Sequence, residues 1–368
     1  MSDNLYEMGA ERPPLPPMKP LLDDRSLLIA AFLIGGILFL WKLYVGLIAS
    51  VIWEEGHFAV SGQYLALGYP DIPAGFPWLA RLITSVFGWH VLPLRIVALL
   101  ISMCMPPAVY FMATPVVSKR NALWAAILAL LLPPISLNGT IFYPEGALQV
   151  LLALMLGCLL RALIDGQWKW WLLAGLCAAI GLLVHFRFLV PGLGVVIFLL
   201  ATPRGRAQWQ KPGVWITAAI GFLGMLPALI YNAREGWPAV AFHVLNRPDF
   251  DPNLRHIGSF LGQQMAIATP VFFVFLALAA WTSLRADRDK PAALLGYQAA
   301  AIFLFFGIQS FYNKQIMPHW PFMAYVPLLP YLPGLFIAFA EKASTPARAD
   351  AARNGDRVGA GPGPSCLA

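Results

Sequence analysis

Apolar runs long enough to cross a bilayer recur along nearly the whole of this chain. A spanning helix needs about 20 predominantly apolar residues, set by the thickness of the hydrocarbon core. Such runs read at about 26–47, 95–112, 121–137, 146–163, 170–184, 188–201, 214–231, 266–283, 292–310 and 322–340. Composition agrees: 59% of the 368 residues are hydrophobic and 12% are charged. Soluble proteins carry about 45–50% and about 25%, so water is a poor solvent for this surface. The expected fold class is an all-α polytopic membrane protein of about ten transmembrane helices.

The net charge of +7 does not point to nucleic acid, because the cations are spread over short loops and not gathered on one face. They follow the positive-inside rule instead. Lys119 and Arg120, Arg161 and Lys169, Arg204, Arg206 and Lys211, and Arg285, Arg288 and Lys290 fall in alternate loops. Those loops are expected to face the cytoplasm, as are both termini of a multi-pass protein of the bacterial inner membrane. Three domains are expected: a disordered arm at 1–25, a transmembrane domain at 26–341 with a first outer loop at 48–94, and a disordered tail at 342–368. The prolines of the arm and the polar composition of the tail forbid stable helix there. No cleavable signal peptide is recognisable, so the first span reads as a retained anchor. The four cysteines show no metal-ligand spacing and read as small buried hydrophobes.

The loops on the other side are long and hold the acidic residues, so function is expected there. Trp53-Glu54-Glu55-Gly56-His57-Phe58 places two carboxylates just beyond the first span. Either they serve as a general base at a groove, or they complement a helix dipole at a first turn. Gly68-Tyr69-Pro70-Asp71-Ile72-Pro73 reads as a proline-fixed turn in which Asp71 holds a sugar or a cation, or simply closes the turn. Glu145 opens an apolar helix, where a cap is the plain alternative. Arg187, in the turn His185-Phe186-Arg187, reads as a phosphate ligand or as an interfacial snorkel, and Lys42 as a snorkel toward the outer end of its span. Arg247 and Arg255 suit phosphate, since guanidinium matches phosphate oxygens, or else lipid headgroups.

These segments, in this order and spacing, resemble bacterial GT-C glycosyltransferases of the protein-mannosyltransferase and aminoarabinose-transferase type, from about residue 28 to about residue 335. Glu54-Glu55-Gly56-His57-Phe58 is similar to the family's acidic motif after the first span. Gly68-Tyr69-Pro70-Asp71-Ile72-Pro73-Ala74 resembles its Gly-Tyr-x-Asp-x-Pro-Pro motif. Tyr231-Asn232, Gly236-Trp237, Phe242-His243 and Arg247 resemble a later Trp-Asn-x-x-x-Gly-Trp segment, and Pro318-His319-Trp320-Pro321 a last one. The departures are glutamate for aspartate at 54 and 145, Ala74 for a second proline, and His57 and Phe58 for a tyrosine pair.

The resemblance implies a GT-C-like bundle with a helical first outer loop. It implies a glycosyltransferase that moves a hexose or pentose from a polyprenyl-phosphate donor to an envelope lipid, glycan or protein, with inversion. Glu54, Glu55 and Glu145 would be catalytic, Glu54 as base. Asp71, His57 and Tyr69 would bind the donor sugar, and Arg247, Arg255, Arg187 and Lys314 its phosphate. A divalent metal between Asp71 and His243 is an optional cofactor. Two other readings stand beside it: a secondary transporter using the same carboxylates, and an inactive GT-C-fold assembly partner.

Overall fold

The computed structural model describes residues 23–246, 250–285, 287–313 and 316–342. The expected arm before residue 23 and tail after residue 342, together with Arg247 and Lys314, lie outside the described residues. Among the described residues there is no strand, only a single bridge between Gly68 and Pro73 that closes the turn around Asp71.

The first helix, α1 (Asp24–Ile48), starts where the Asp23 carboxylate accepts the Ser26 N–H. Two helices, α2 (Trp53–Gln63) and α3 (Gly75–Phe87), packed on each other, then build the segment expected to be the first outer loop. The next span is α4 (Val91–Met103) continued by α5 (Met105–Ala113); Pro106 and Pro107 fall in the first turn of α5, where a missing N–H costs nothing. Ser118 caps α6 (Lys119–Leu131), which gives way to the short α7 (Pro133–Ser136) at the two prolines. The hairpin of α8 (Glu145–Asp165) and α9 (Trp168–Val184) turns at Gly166, whose left-handed φ of 67° ends α8. After a 3-10 turn at Phe186–Phe188 come α10 (Leu189–Ala201) and the one-turn α11 (Pro203–Arg206).

The following spans are bent. Helix α12 (Pro212–Leu223) meets α13 (Leu226–Arg234) at 48°. At the bend a Cβ on Gly224 would lie 2.0 Å from the Ala179 carbonyl oxygen, so only glycine lets this pair close on α9. One turn, α14 (Pro238–Val240), and a π turn at Ala241–Asn246 follow. Then α15 (Leu254–Ala268) and α16 (Pro270–Arg285) meet at 109°. The sequence predicted one unbroken span at 266–283. Pro270 cannot continue α15, and Thr269 takes the left-handed φ of 63°, which a β-branched residue adopts only under constraint. The chain ends its described part with α17 (Ala293–Tyr312) and an apolar span at Trp320–Lys342, whose first half is a 3-10 helix containing Pro327 and Pro330.

Among the described residues five helices are long and apolar enough to cross a membrane, or up to seven if each bent pair is one span. Two shorter apolar helices, Trp168–Val184 and Phe186–Ala201, stand beside them. The chain is thus a multi-pass membrane protein, although this measure gives fewer spans than the expected ten. Helix α8 is apolar all round and sits at the centre, with 72% of its span buried against 11% for α1. Phe32 of α1 is 79% exposed, which suits a lipid-facing surface. The main core joins Leu148, Leu152 and Leu156 of α8 to Met112, Leu128, Leu295, Ile302 and Leu329.

One buried ion pair ties the outer loop to the spans. Glu55 of α2 takes Arg95 of α4 through Nε at 2.8 Å and Nη2 at 2.5 Å. The remaining guanidinium donors reach the carbonyls of Gly46, Ala49 and Ser50 at the end of α1. All five N–H donors are therefore used. Glu55 also accepts the Phe142 N–H at 2.8 Å, which adds the loop before α8. Lys42 does not snorkel outward: it is buried, and its Nζ donates to the Asn138 carbonyl at 2.7 Å. A nearby backbone acceptor suits its ammonium better than a longer path to water.

Removing Glu55 leaves the Arg95 charge buried without its counter-ion. Glu55→Ala is expected to cost about 3–5 kcal/mol of stability, whereas Glu54→Gln, next in sequence, should change it by less than about 0.5 kcal/mol. Unfolding of both variants in detergent checks this, and equal stability of the two would contradict it.

Candidate functional site

A cavity of about 600 Å³ opens among the outer loop, the turn after α9, the end of α13 and the segment that precedes the last span. The elements that reach it follow from the fold. Helix α2 starts directly after α1 and brings Trp53, Glu54 and His57; the bridged turn brings Asp71; the tight turn after α9 brings Arg187; the chain after α13 brings Trp237 and His243. Apolar side chains of α13 and α17, including Leu229, Phe305 and Phe306, complete the lining.

Glu54 lines the cavity with no hydrogen bond or ion pair to any described residue. Its neighbour Glu55 faces away into the Arg95 pair. One residue of helix rotation thus separates a carboxylate free to act from one fully engaged.

Asp71 and His57 form a second unit. His57 Nε2 lies 2.8 Å from Asp71 Oδ2, and the imidazole stacks on Trp53 at 4.9 Å. The hydrogen bond to Asp71 raises the His57 pKa against the effect of burial. Burial pushes the Asp71 carboxyl upward, but the hydrogen bond and charge of His57 outweigh it and hold it below its usual value. The Asp71 carbonyl lies 3.0 Å from His243 Nε2. His243 therefore meets the backbone of Asp71, while the carboxylate turns to His57. Among the described residues no group of three or more His, Cys, Asp or Glu gathers as metal ligands do. The residues present do not fit a divalent ion.

Arg187 and Glu145 form the third unit. Glu145 is buried at the start of α8 and pairs with Arg187 Nη1. Arg187 lies over Trp320, 5.8 Å from the ring centroid, and its Nε is buried with no hydrogen-bond partner among the described residues. Beside it the Tyr143 hydroxyl is hydrogen-bonded to His319 Nε2. Burial and the Arg187 charge push His319 down to about 3, and burial pushes the Tyr143 phenol up. Both rings stay neutral, so this hydrogen bond adds no charge beside Arg187.

Glu54, Asp71, His57, Arg187 and His243 are thus brought to one cavity, and Glu145 stands behind Arg187. Tyr69 is not in the lining; its hydroxyl donates to the carbonyls of Ser61 and Tyr64, folding the loop that carries Asp71. Arg255 is exposed near the start of α15 and does not line the cavity. Asn232 is a clamp: it donates to the Ala228 carbonyl and accepts the Ala239 N–H, holding the turn in which Trp237 is left-handed at φ 63°. Sequence reasoning gave no role to Arg95 or to the Tyr143–His319 pair. Arginine inside an apolar span was the available sign for the first.

The structural relatives match this architecture. ArnT from Cupriavidus metallidurans bound to undecaprenyl phosphate superimposes with a TM-score of 0.68 at 18% identity, covering 85% of this chain and 60% of that one. The apo form of the same ArnT gives 0.68 at 18% identity over 84% and 59%. The chain has a GT-C fold. Residues 71–231 also match the family model described as dolichyl-phosphate-mannose-protein mannosyltransferase. That stretch runs from Asp71 to Tyr231 within α13, and includes Glu145 and Arg187. The chain spans about three fifths of the solved ArnT chains it resembles. No curated protein matches its sequence.

The His57–Asp71 pair carries a pH signature. The share from His57 is complete below its unfolded value of 6.5 and lost as pH rises through its higher folded value. The share from Asp71 is present above its unfolded value of 3.8 and lost as pH falls through its lower folded value. Both are in place between 3.8 and 6.5. Thermal stability should therefore fall as pH rises above 6.5, and His57→Gln should flatten that alkaline limb. Parallel profiles for variant and wild type would contradict it.

Proposed function

We propose that this protein is a membrane glycosyltransferase that moves a sugar from a polyprenyl-phosphate donor to a hydroxyl of an envelope lipid, glycan or protein. One observation carries the reading. A single water-accessible cavity combines an unpaired carboxylate, Glu54, with a held arginine, Arg187, whose Nε has no hydrogen-bond partner among the described residues. A transfer from a lipid phosphate needs both: a base for the incoming hydroxyl and a cation for the departing phosphate.

In the proposed reaction the acceptor O–H gives its proton to Glu54. The oxygen attacks the anomeric carbon from the face opposite the phosphate. The new glycosidic bond forms as the bond from the anomeric carbon to the phosphate oxygen breaks, with inversion. The phosphate keeps the bonding electron pair and its added charge meets Arg187. Glu145 fixes Arg187 in place beforehand, so little reorganisation is needed when charge develops. Asp71 and His57 would bind sugar hydroxyls. The polyprenyl tail would leave through the apolar side of the cavity, past residues such as Phe305 and Leu229. Glu55 acts by positioning α2, so that Glu54 alone is the base.

Connectivity and loop charge support a periplasmic position for the cavity. The cavity is built from the ends of α9, α13 and α17 and the start of α8, and the loops rich in Lys and Arg join the other ends of these helices. With those loops cytoplasmic, the cavity faces the periplasm of a bacterial inner-membrane protein with both termini inside. The undecaprenyl phosphate bound to ArnT and the dolichyl-phosphate named for the family model support a donor of this chemistry.

The test is transfer of a labelled sugar from polyprenyl phosphate by the purified protein. Glu54→Gln should lower the rate on the order of 10² to 10⁴-fold, and Arg187→Ala about 10² to 10³-fold. Equal rates for wild type and Glu54→Gln would remove Glu54 as base. Absence of transfer by the wild type with counterflow of a solute in proteoliposomes would favour the transporter. Absence of both would leave an inactive assembly partner.

A further inference from the structure

The end of the bundle that carries the Lys and Arg loops holds a second cavity, of about 500 Å³, remote from the chemistry proposed above. It lies between the C-terminus of α8, the starts of α9 and α12, and α11. Its wall contains two cations, Arg204 and Lys211, against one carboxylate, Asp165.

Arg204 is partly buried. One Nη donates to the Leu163 carbonyl at the end of α8, while its Nε is buried with no hydrogen-bond partner among the described residues. Gln208, itself buried, donates to the Arg204 carbonyl at 3.1 Å and fixes that residue's backbone. Asp165 accepts the Trp170 indole N–H at 3.3 Å and pairs with neither cation. Lys211 is exposed at the mouth and makes no ion pair among the described residues. Helices α9 and α12 both begin here without a side-chain cap, so their first-turn N–H groups add positive potential. A guanidinium with an unused donor and an unpaired ammonium, with a carboxylate engaged elsewhere, make a receptor for phosphate.

The surroundings decide what carries the phosphate. The helices bounding the cavity are apolar, and Ile164 and Trp168 at its rim are 50% and 51% exposed. A rim of this kind suits the glycerol and acyl boundary of a lipid, where tryptophan is enriched. Basic pockets between spanning helices on the cytoplasmic side take anionic headgroups. We infer that this cavity binds the phosphate headgroup of an anionic phospholipid from the leaflet that faces the basic loops.

The full-length protein, stripped of lipid, should retain phosphatidylglycerol over phosphatidylcholine when titrated with vesicles of each and read by native mass spectrometry. Lys211→Gln should weaken that retention about five-fold, as expected for one cation near a membrane surface. Arg204→Gln should weaken it further; if that variant fails to fold because α8 loses its cap, Lys211→Gln alone decides. Inorganic phosphate without lipid should not raise the melting temperature. Equal retention of the two lipids, or unchanged retention in Lys211→Gln, would overturn the inference. The same stabilisation by inorganic phosphate would overturn it in favour of a soluble ligand. Transfer by the outer cavity is a separate readout, so its failure leaves this result standing.

Discussion

The buried pair of Glu55 and Arg95 is the constraint on which the half of this protein that holds the first cavity depends. Burying a guanidinium inside an apolar bundle is costly unless its donors are met, and for Arg95 all five are. The acceptors come from different parts of the chain: the end of α1 and the start of α2. The carboxylate in turn takes the Phe142 N–H from the loop before α8. One charge pair therefore fixes the crossing of α1, α2 and α4 and the entry to α8. Its by-product is the orientation of Glu54, which must face the cavity because Glu55 faces the protein.

The same logic is repeated across the cavity with different partners. Arg187 is pinned by Glu145 and Trp320, and Asp71 by His57. In each case a charged side chain that lines the hollow is oriented by another residue. Glu54 has no such partner among the described residues. The neighbouring Tyr143–His319 bond is neutral at both ends, so it orients without adding charge beside Arg187. Charge in the cavity is thereby restricted to a few groups with fixed directions.

Much of this could be read from the amino acids. The runs at 146–163 and 292–310 correspond to Glu145–Asp165 and Ala293–Tyr312, because hydropathy over a bilayer length is a strong signal. Glu54, Asp71, Arg187 and His243 were singled out by type and place, and they share one cavity. Pairing was not legible. Arg95 lies 40 residues from Glu55, and Tyr143 lies 176 from His319, so no local spacing relates them. The break at Thr269 was hidden because apolar character runs straight through it, although Pro270 marked the place. Lys42 was read as a snorkel because its acceptor, a backbone carbonyl, has no letter in the sequence.

Helix α1 joins the bundle in an unusual manner. Its only buried residues are Leu27, Lys42 and Gly46, and the two near its C-terminal end are held through hydrogen bonds to a neighbouring backbone or to Arg95. Most of its circumference is simply solvated by acyl chains, for which leucine, isoleucine and phenylalanine are interchangeable. Little of this helix is therefore specified by partners, and its placement rests on a few positions near its two ends.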